Sequence, residues 1–249
     1  MASSSTTNHV GSRGFEFAWR SVASIDGWLT EDQGRELFNA ARCSKDRDWI
    51  VEVGSHHGRS TILLAKAKRP DVRLLAVDPF SDARWGGGAE SLEAFKTNLR
   101  DHGVAADVRL HRGTSETAWM ECAQESVGFV YLDGAHDRRS VLADIDIWAP
   151  RLQPGSQLYL HDAFSSPGVS AAVMQRMLWN RSFSYRGSRG SLVMFERADP
   201  SVLSSVTSSL CLLARLSYLA RNVAIKIAMR RGWSWLPPRV GHEGPDYPF

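Results

Sequence analysis

The sequence predicts an α/β protein: a doubly wound sheet of seven strands in the order 3-2-1-4-5-7-6, preceded by helices and followed by a helical tail. Three observations predict it. The stretch 49–68 joins a short apolar run, Trp49-Ile50-Val51-Glu52-Val53, to a break at Gly54 and then, after Gly58, to strong helix formers ending in lysines. This reads as strand, glycine loop and helix. The same unit of apolar run followed by helical segment recurs as far as residue 180, and repeated units of this kind bury a parallel sheet. The last two apolar runs, Phe183 to Tyr185 and Leu192 to Glu196, close around Gly187 and Gly190 as a hairpin, which turns the final strand antiparallel.

Taken in order, residues 1–14 are rich in Ser and Thr and are expected to lack structure. Residues 15–48 form a helical cap: Phe15 to Val22 reads as a short helix, and Thr30-Glu31-Asp32-Gln33 is a capping box opening a helix to about Arg42. Such a cap covers a site mouth, mediates a homo-oligomer or closes the sheet edge. The main domain, 49–198, continues with a second strand ending at Asp78. Pro79 to Gly88 then carries three consecutive glycines, which suit a moving lid with Phe80 and Trp85 at the ligand crevice. A helix from Glu90 to His102 follows, and a third strand, Val108 to His111, ends at Gly113-Thr114-Ser115. The fourth strand, Val127 to Leu132, ends in Asp133-Gly134-Ala135-His136, and a helix runs from about Arg138 to Arg151. A fifth, Gln157 to Leu160, ends in His161-Asp162, before a helix from Ser166 to Asn180. Residues 199–249 are a basic amphipathic tail.

The first loop defines a ligand. Its pattern is Glu52-x-Gly54-x-x-x-Gly58, with one acid inside the strand end and no third glycine, so it departs from the G-x-G-x-x-G of dinucleotide folds. An acid there repels a pyrophosphate but suits the ammonium of an amino acid, while Asp78 at the next strand end can accept ribose hydroxyls. A nucleoside carrying an amino acid fits better than a dinucleotide. The loop resembles the first motif of the class I S-adenosylmethionine-dependent methyltransferases, a Rossmann-like family. The resemblance implies a cofactor-binding set of Glu52, Gly54, Ser55, Gly58, Asp78, Pro79 and Asp133. It assigns adenine contacts to Gly113, Thr114 and Ser115 by position.

A narrower likeness rests on Val77-Asp78-Pro79-Phe80, Leu132-Asp133-Gly134-Ala135-His136, Trp148-x-Pro150-x-Leu152-x-Pro154-Gly155 and His161-Asp162. Together, over roughly Gly27 to Glu196, these are similar to the subfamily that includes the macrolide sugar O-methyltransferases and the cephalosporin-hydroxylase-like proteins. In those relatives the acid of the DG-x-H turn and acids at the fifth strand end bind a divalent metal, and the turn histidine is the base. Carried over, His136 is catalytic with Asp133, and Asp133, His161 and Asp162 are the metal set, although several relatives carry an acid where this chain has His161. Geometry gives the two acids independent support, because Asp133 and Asp162 end adjacent parallel strands about 4.8 Å apart. Mg²⁺ suits two carboxylates, and the histidine also admits Mn²⁺ or a transition ion.

Composition bounds the partners. Residues 1–200 carry 24 Lys and Arg against 25 Asp and Glu, whereas residues 201–249 carry 6 against 2. A near-neutral body argues against a nucleic-acid enzyme. Cys43, Cys122 and Cys211 are scattered without metal spacing, which suits a reducing compartment, and the expected location is cytoplasmic. In the tail, Leu212, Leu216, Leu219, Val223 and Ile227 are read as one helical stripe flanked by Arg215, Lys226 and Arg230. It is too interrupted by charge to span a bilayer, but suited either to peripheral contact at the inner face of the membrane or to packing on the domain or in a dimer. The functional expectation is an S-adenosylmethionine-dependent O-methyltransferase acting on a hydroxyl of a sugar or glycoconjugate, the acceptor being a small molecule or glycan. The alternatives are a hydroxylase-like or non-methylating member of the same fold and a nicotinamide-dependent oxidoreductase, the last disfavoured by Glu52 and the missing glycine.

Overall fold

The structure, a computed structural model, describes residues 4–44, 48–81, 88–199 and 201–242, with side chains from Arg13 onward. Seven strands form one sheet: β1 (Trp49–Val53), β2 (Arg73–Val77), β3 (Val108–His111), β4 (Val127–Leu132), β5 (Leu152–Leu160), β6 (Phe183–Arg189) and β7 (Leu192–Arg197). Their order is 3-2-1-4-5-7-6, as predicted. The first five are parallel, and β7 runs antiparallel to both β5 and β6. β5 starts earlier than its apolar core suggests, because a register shift opposite Val127 to Phe129 absorbs Pro154 and the positive-φ Gly155.

Alternation along the strands divides the core into two layers. Ile50, Leu74, Ala76, Phe129 and Tyr131 face α1 (Ser4–Val22), α2 (Glu31–Cys43), α3 (Arg59–Ala67) and α4 (Ala89–Asp101). Val51, Val53, Leu75, Val77, Val130 and Leu132 face the opposite layer, which includes α6 (Arg138–Trp148), α7 (Pro167–Met177) and Leu212 of α8 (Val202–Ala214). A sheet apolar on both faces explains why β1 and β4 are buried at every position.

The helical cap is tied to the glycine-loop helix by one side chain. Arg59, at the start of α3, donates to the carbonyls of Ile25 (2.6 Å), Leu29 (3.0 Å) and Ala23 (3.0 Å), so three otherwise orphaned acceptors are satisfied together. Thr30 and Gln33 form the expected capping box at α2. The cap departs from expectation at its start, for α1 begins at Ser4 and takes in residues expected to be unstructured. Once Phe15, Ala18 and Val22 are packed, adding residues to a nucleated helix costs little, even for Ser and Thr.

Phe80 also departs from expectation. It is buried, with φ of 49°, and its ring lies 5.5 Å from that of Phe95 in the core, not at the crevice. Trp85 and most of the expected lid, 82–87, lie outside the described residues.

Candidate active site

The site is a staircase at the carboxyl ends of the parallel strands. Beyond the regular pairing, each strand end hands one amide to its neighbour: Asp78 N–H to His111 O, Gly54 N–H to Val77 O, Asp133 N–H to Val53 O and His161 N–H to Leu132 O, all within 2.8–3.1 Å. Four residues singled out from the sequence are thereby fixed by main-chain bonds before their side chains act.

The β1 half is a glycine-loop cradle. Gly54 has φ of 90°, and a Cβ there would stand 2.1 Å from the Asp133 carbonyl oxygen, so only glycine lets β1 and β4 turn out side by side. Gly58, with φ of 87°, caps α3. Asp78 reaches across to hold the loop, its carboxylate accepting from the amides of Ser55 (2.9 Å), His56 (3.1 Å) and Phe80 (2.7 Å). A carboxylate offers about four lone-pair positions, so about one remains for a ligand hydroxyl, not the pair expected.

Glu52 is fully buried. Burial pushes its carboxyl up to about 7, against the neighbouring hydroxyls of Ser60, Thr61 and Ser55, which favour the charged form. Its Oε2 accepts from Ser55 Oγ (3.1 Å) and from Thr61 Oγ1, whereas Oε1 is buried without a partner. A buried acceptor left unpaired is costly, and a cation at that oxygen would relieve it.

The β3 end is less as expected. Ser115 is fully buried, donating to Asp144 Oδ1 (2.6 Å) and accepting from Trp148 Nε1 (2.9 Å). Its side chain braces α5 (Ser115–Ala118) against α6 and is committed there, away from the assigned adenine contact. Gly113 and Thr114 lie in the turn before it, and Pro79 is exposed at the end of β2.

The β4–β5 half is a charge cluster. His161 is buried, with Nδ1 3.1 Å from Asp133 Oδ1 and 3.8 Å from Asp162 Oδ1, and Nε2 3.1 Å from Gln33 Oε1. A carboxylate and an amide oxygen are both acceptors, so both ring nitrogens donate. Burial disfavours the charged ring, but Asp133 and Asp162 more than offset it and push His161 up to about 10. Asp162 is buried at a positive φ of 55°, and despite burial its bonds with His161 hold it well below the usual carboxylate range. Tyr131 donates to Asp133 Oδ2 at 2.8 Å. His136, 43 % exposed at the side chain, places Nε2 3.2 Å from Asp162 Oδ2.

This arrangement revises the expected metal set. His161, with both nitrogens donating, has no lone pair to offer a cation. The ligand atoms that converge, all within 4.8 Å of one another, belong to Asp133, His136 and Asp162.

Gln33 and Tyr131 are the participants the sequence reading missed. Gln33 was legible only as a helix cap. It is buried, reaches His161 across 128 residues of chain and also donates to Arg189 O (3.3 Å), so the cap is part of the site.

With the geometry in place, residues 51–163 match the family Methyltransf_24, described as a methyltransferase domain. An uncharacterized protein of Sinorhizobium fredii, y4gI, is 31% identical over 120 residues, 45% of this chain; the chain spans only 13% of that relative's length. Among solved structures, the O-methyltransferase TomG of Streptomyces achromogenes, in complex with S-adenosylmethionine, shares the fold with a TM-score of 0.54 at 21% identity, over 76% of this chain and 89% of its own. An O-methyltransferase of Bacillus cereus in complex with S-adenosylhomocysteine has a TM-score of 0.56 at 15% identity, over 75% and 91%. The matched segment covers less than half of this chain, and the likeness to the solved methyltransferases is one of fold.

Proposed function

We propose that the chain transfers the methyl group of S-adenosylmethionine to a hydroxyl of a small molecule, a sugar or glycoconjugate being the class favoured by the Asp133-Gly134-Ala135-His136 turn together with His161-Asp162. The single observation that carries the reading is the unpaired, buried Oε1 of Glu52 at the floor of the glycine loop. An ammonium is what that oxygen lacks, and Asp78 and the backbone of Gly113 and Thr114 lie on the adjoining strand ends for a ribose and a base. The cofactor supplies an already activated methyl, so the protein must align the acceptor and remove its proton.

His136 is the group placed to do so. Its Nε2–H points at Asp162, which fixes the tautomer and steadies the charge gained when the ring takes a second proton. Bound S-adenosylmethionine would supply the methyl group to the acceptor oxygen, and His136 would take the hydroxyl proton. Asp133, pinned by Tyr131 and His161, holds the acceptor. The test is methyl transfer from labelled S-adenosylmethionine to a panel of glycosides and phenols by wild type and His136→Ala. Turnover should fall about 10² to 10⁴-fold with cofactor affinity unchanged. Full activity in a well-folded variant would refute the role.

The convergence of Asp133, His136 and Asp162 supports a second reading, in which the three hold a divalent cation that supplies a Lewis acid to the acceptor oxygen, and His136 is then a ligand and not a base. Chelation separates the two. EDTA leaves turnover intact if His136 is the base, and abolishes it, with rescue by Mg²⁺ or Mn²⁺, if a cation belongs there.

A further inference from the structure

α8 and α9 (Leu216–Arg230) continue through Arg215 as one helical run of 29 residues, long and apolar enough by composition to cross a membrane. This revises the reading that charge interrupts the segment too often, since from Val202 to Ala220 the only charged residue is Arg215. The expected single stripe is also divided. Leu212 is buried and Leu216 and Ile227 are exposed.

α8 is packed with the opposite polarity to an ordinary surface helix. Its inner face is serine: Ser208 Oγ accepts from Tyr185 N (2.9 Å), Ser209 Oγ from Trp179 N (2.8 Å), and Ser204 Oγ lies 2.5 Å from Ser184 Oγ. Its outer face is apolar, with Leu203 75 % and Leu210 58 % exposed, and Val202, Val206, Leu213 and Leu216 beside them. At 1.5 Å per residue the apolar stripe is about 20 Å long. Serines spent on the domain and leucines spent on the outside mean that this face meets something other than water.

Charge identifies what it meets. From Ser201 to His242 the chain has six Lys and Arg and no Asp or Glu. Past α9, Arg231 lies over the exposed Trp233 ring (5.4 Å) and Arg239 over that of exposed Trp235 (5.2 Å). Arg215, Arg221 and Lys226 are bonded inward, to Gly190, Val240 and Ser165, whereas Arg230 and Arg231 are exposed. An apolar stripe, tryptophans and exposed arginines are the components of an interfacial membrane helix. A span is disfavoured because the inner side is bonded to the domain: Asn222 Nδ2 donates to Phe164 O (3.1 Å) and Lys226 Nζ to Ser165 O (3.0 Å).

We infer that α8 and α9 are a monotopic seat for an anionic bilayer surface. Ser165 Oγ also donates to Asp162 Oδ1 (3.2 Å), so the seat grips the same loop that carries an acid of the site. The inference does not depend on the chemistry proposed for that site. It is tested by floating the full chain with phosphatidylcholine vesicles with and without phosphatidylglycerol, beside Leu203→Ser with Leu210→Ser and Arg230→Glu with Arg231→Glu. Circular dichroism confirms the fold of each. Wild type should float with the anionic vesicles, and each double variant should lose about tenfold or more in partitioning. Three outcomes would overturn the seat: no flotation of wild type, flotation indifferent to anionic lipid and to both double variants, or a vesicle-independent dimer that the leucine substitutions dissolve.

Discussion

The two halves of the cleft are built on different physics. The β1–β2 half is held by the backbone: Gly54 and Gly58 at positive φ, and three amides converging on Asp78. Its one ionisable group in the core, Glu52, is left with an unpaired oxygen. The β4–β5 half is held by side chains and is electrostatically closed, with a buried imidazolium between two carboxylates and Gln33 on its far nitrogen. In the proposed reading a ligand finishes the open half, whereas the buried groups of the other half already have partners within the protein. Substitutions should therefore separate cofactor affinity from stability according to the half they fall in.

The largest separation is expected at Asp78. Asp78→Ala frees three loop amides and removes the proposed ribose acceptor, so S-adenosylhomocysteine should bind more weakly by about 1.5 to 3 kcal/mol, the worth of a hydrogen bond to a charged group. Calorimetry measures this directly. The melting temperature should fall as well, because the freed amides of Ser55 and Phe80 belong to buried residues, so affinity is read in the folded fraction. A large drop in stability with unchanged affinity would invert the comparison.

Gln33→Ala is the counterpart in the closed half. It leaves His161 Nε2–H buried without an acceptor and breaks the α2 capping box, and an orphaned buried donor costs about 1 to 3 kcal/mol. Urea unfolding should show that loss while cofactor affinity holds. The same cluster sets a pH limit. The folded pKa of His161 is raised above its ordinary 6.5 to about 10, so its contribution to stability is fully present below 6.5 and is lost as pH rises through about 10. Alkaline unfolding should begin earlier in Gln33→Ala than in wild type.

These contrasts also account for what the sequence disclosed. The strand order, the glycine loop and the DGAH turn were legible because each is a local pattern whose meaning is fixed within a few residues: Gly54 must be glycine, and apolar runs on both faces must lie inside a sheet. His161 was read as a cation ligand, but its ring nitrogens meet acceptors, one of them on Gln33, 128 residues away, and no spacing records that contact. Ser115 was misplaced for a like reason, since its partners Asp144 and Trp148 come from a helix two elements on. The tail was legible in composition but not in orientation, because which face of α8 turns inward is decided by β6 and the turn at Trp179.

The subtlest test concerns Glu52. Its pKa, raised by burial from 4.5 to about 7, lies within the working range, so the unliganded protein holds a mixture of acid and carboxylate near neutrality. Raising a carboxyl pKa on folding means that the folded state keeps a proton the unfolded state has lost, so stability without ligand should fall as pH rises from about 4.5 to about 7. A cofactor ammonium reverses the balance, since it favours the carboxylate. Affinity should then rise with pH up to about 7 and flatten above it, by at most tenfold per pH unit for one coupled proton. Glu52→Gln, which is nearly the same shape but cannot ionise, should bind more weakly, lose the pH slope and be more stable than wild type above neutrality in the absence of ligand. Calorimetric titrations of S-adenosylhomocysteine at pH 6, 7 and 8 read the first two effects and thermal melts read the third. If the variant keeps the wild-type slope, the titrating group is elsewhere and the unpaired oxygen of Glu52 does not receive the ammonium.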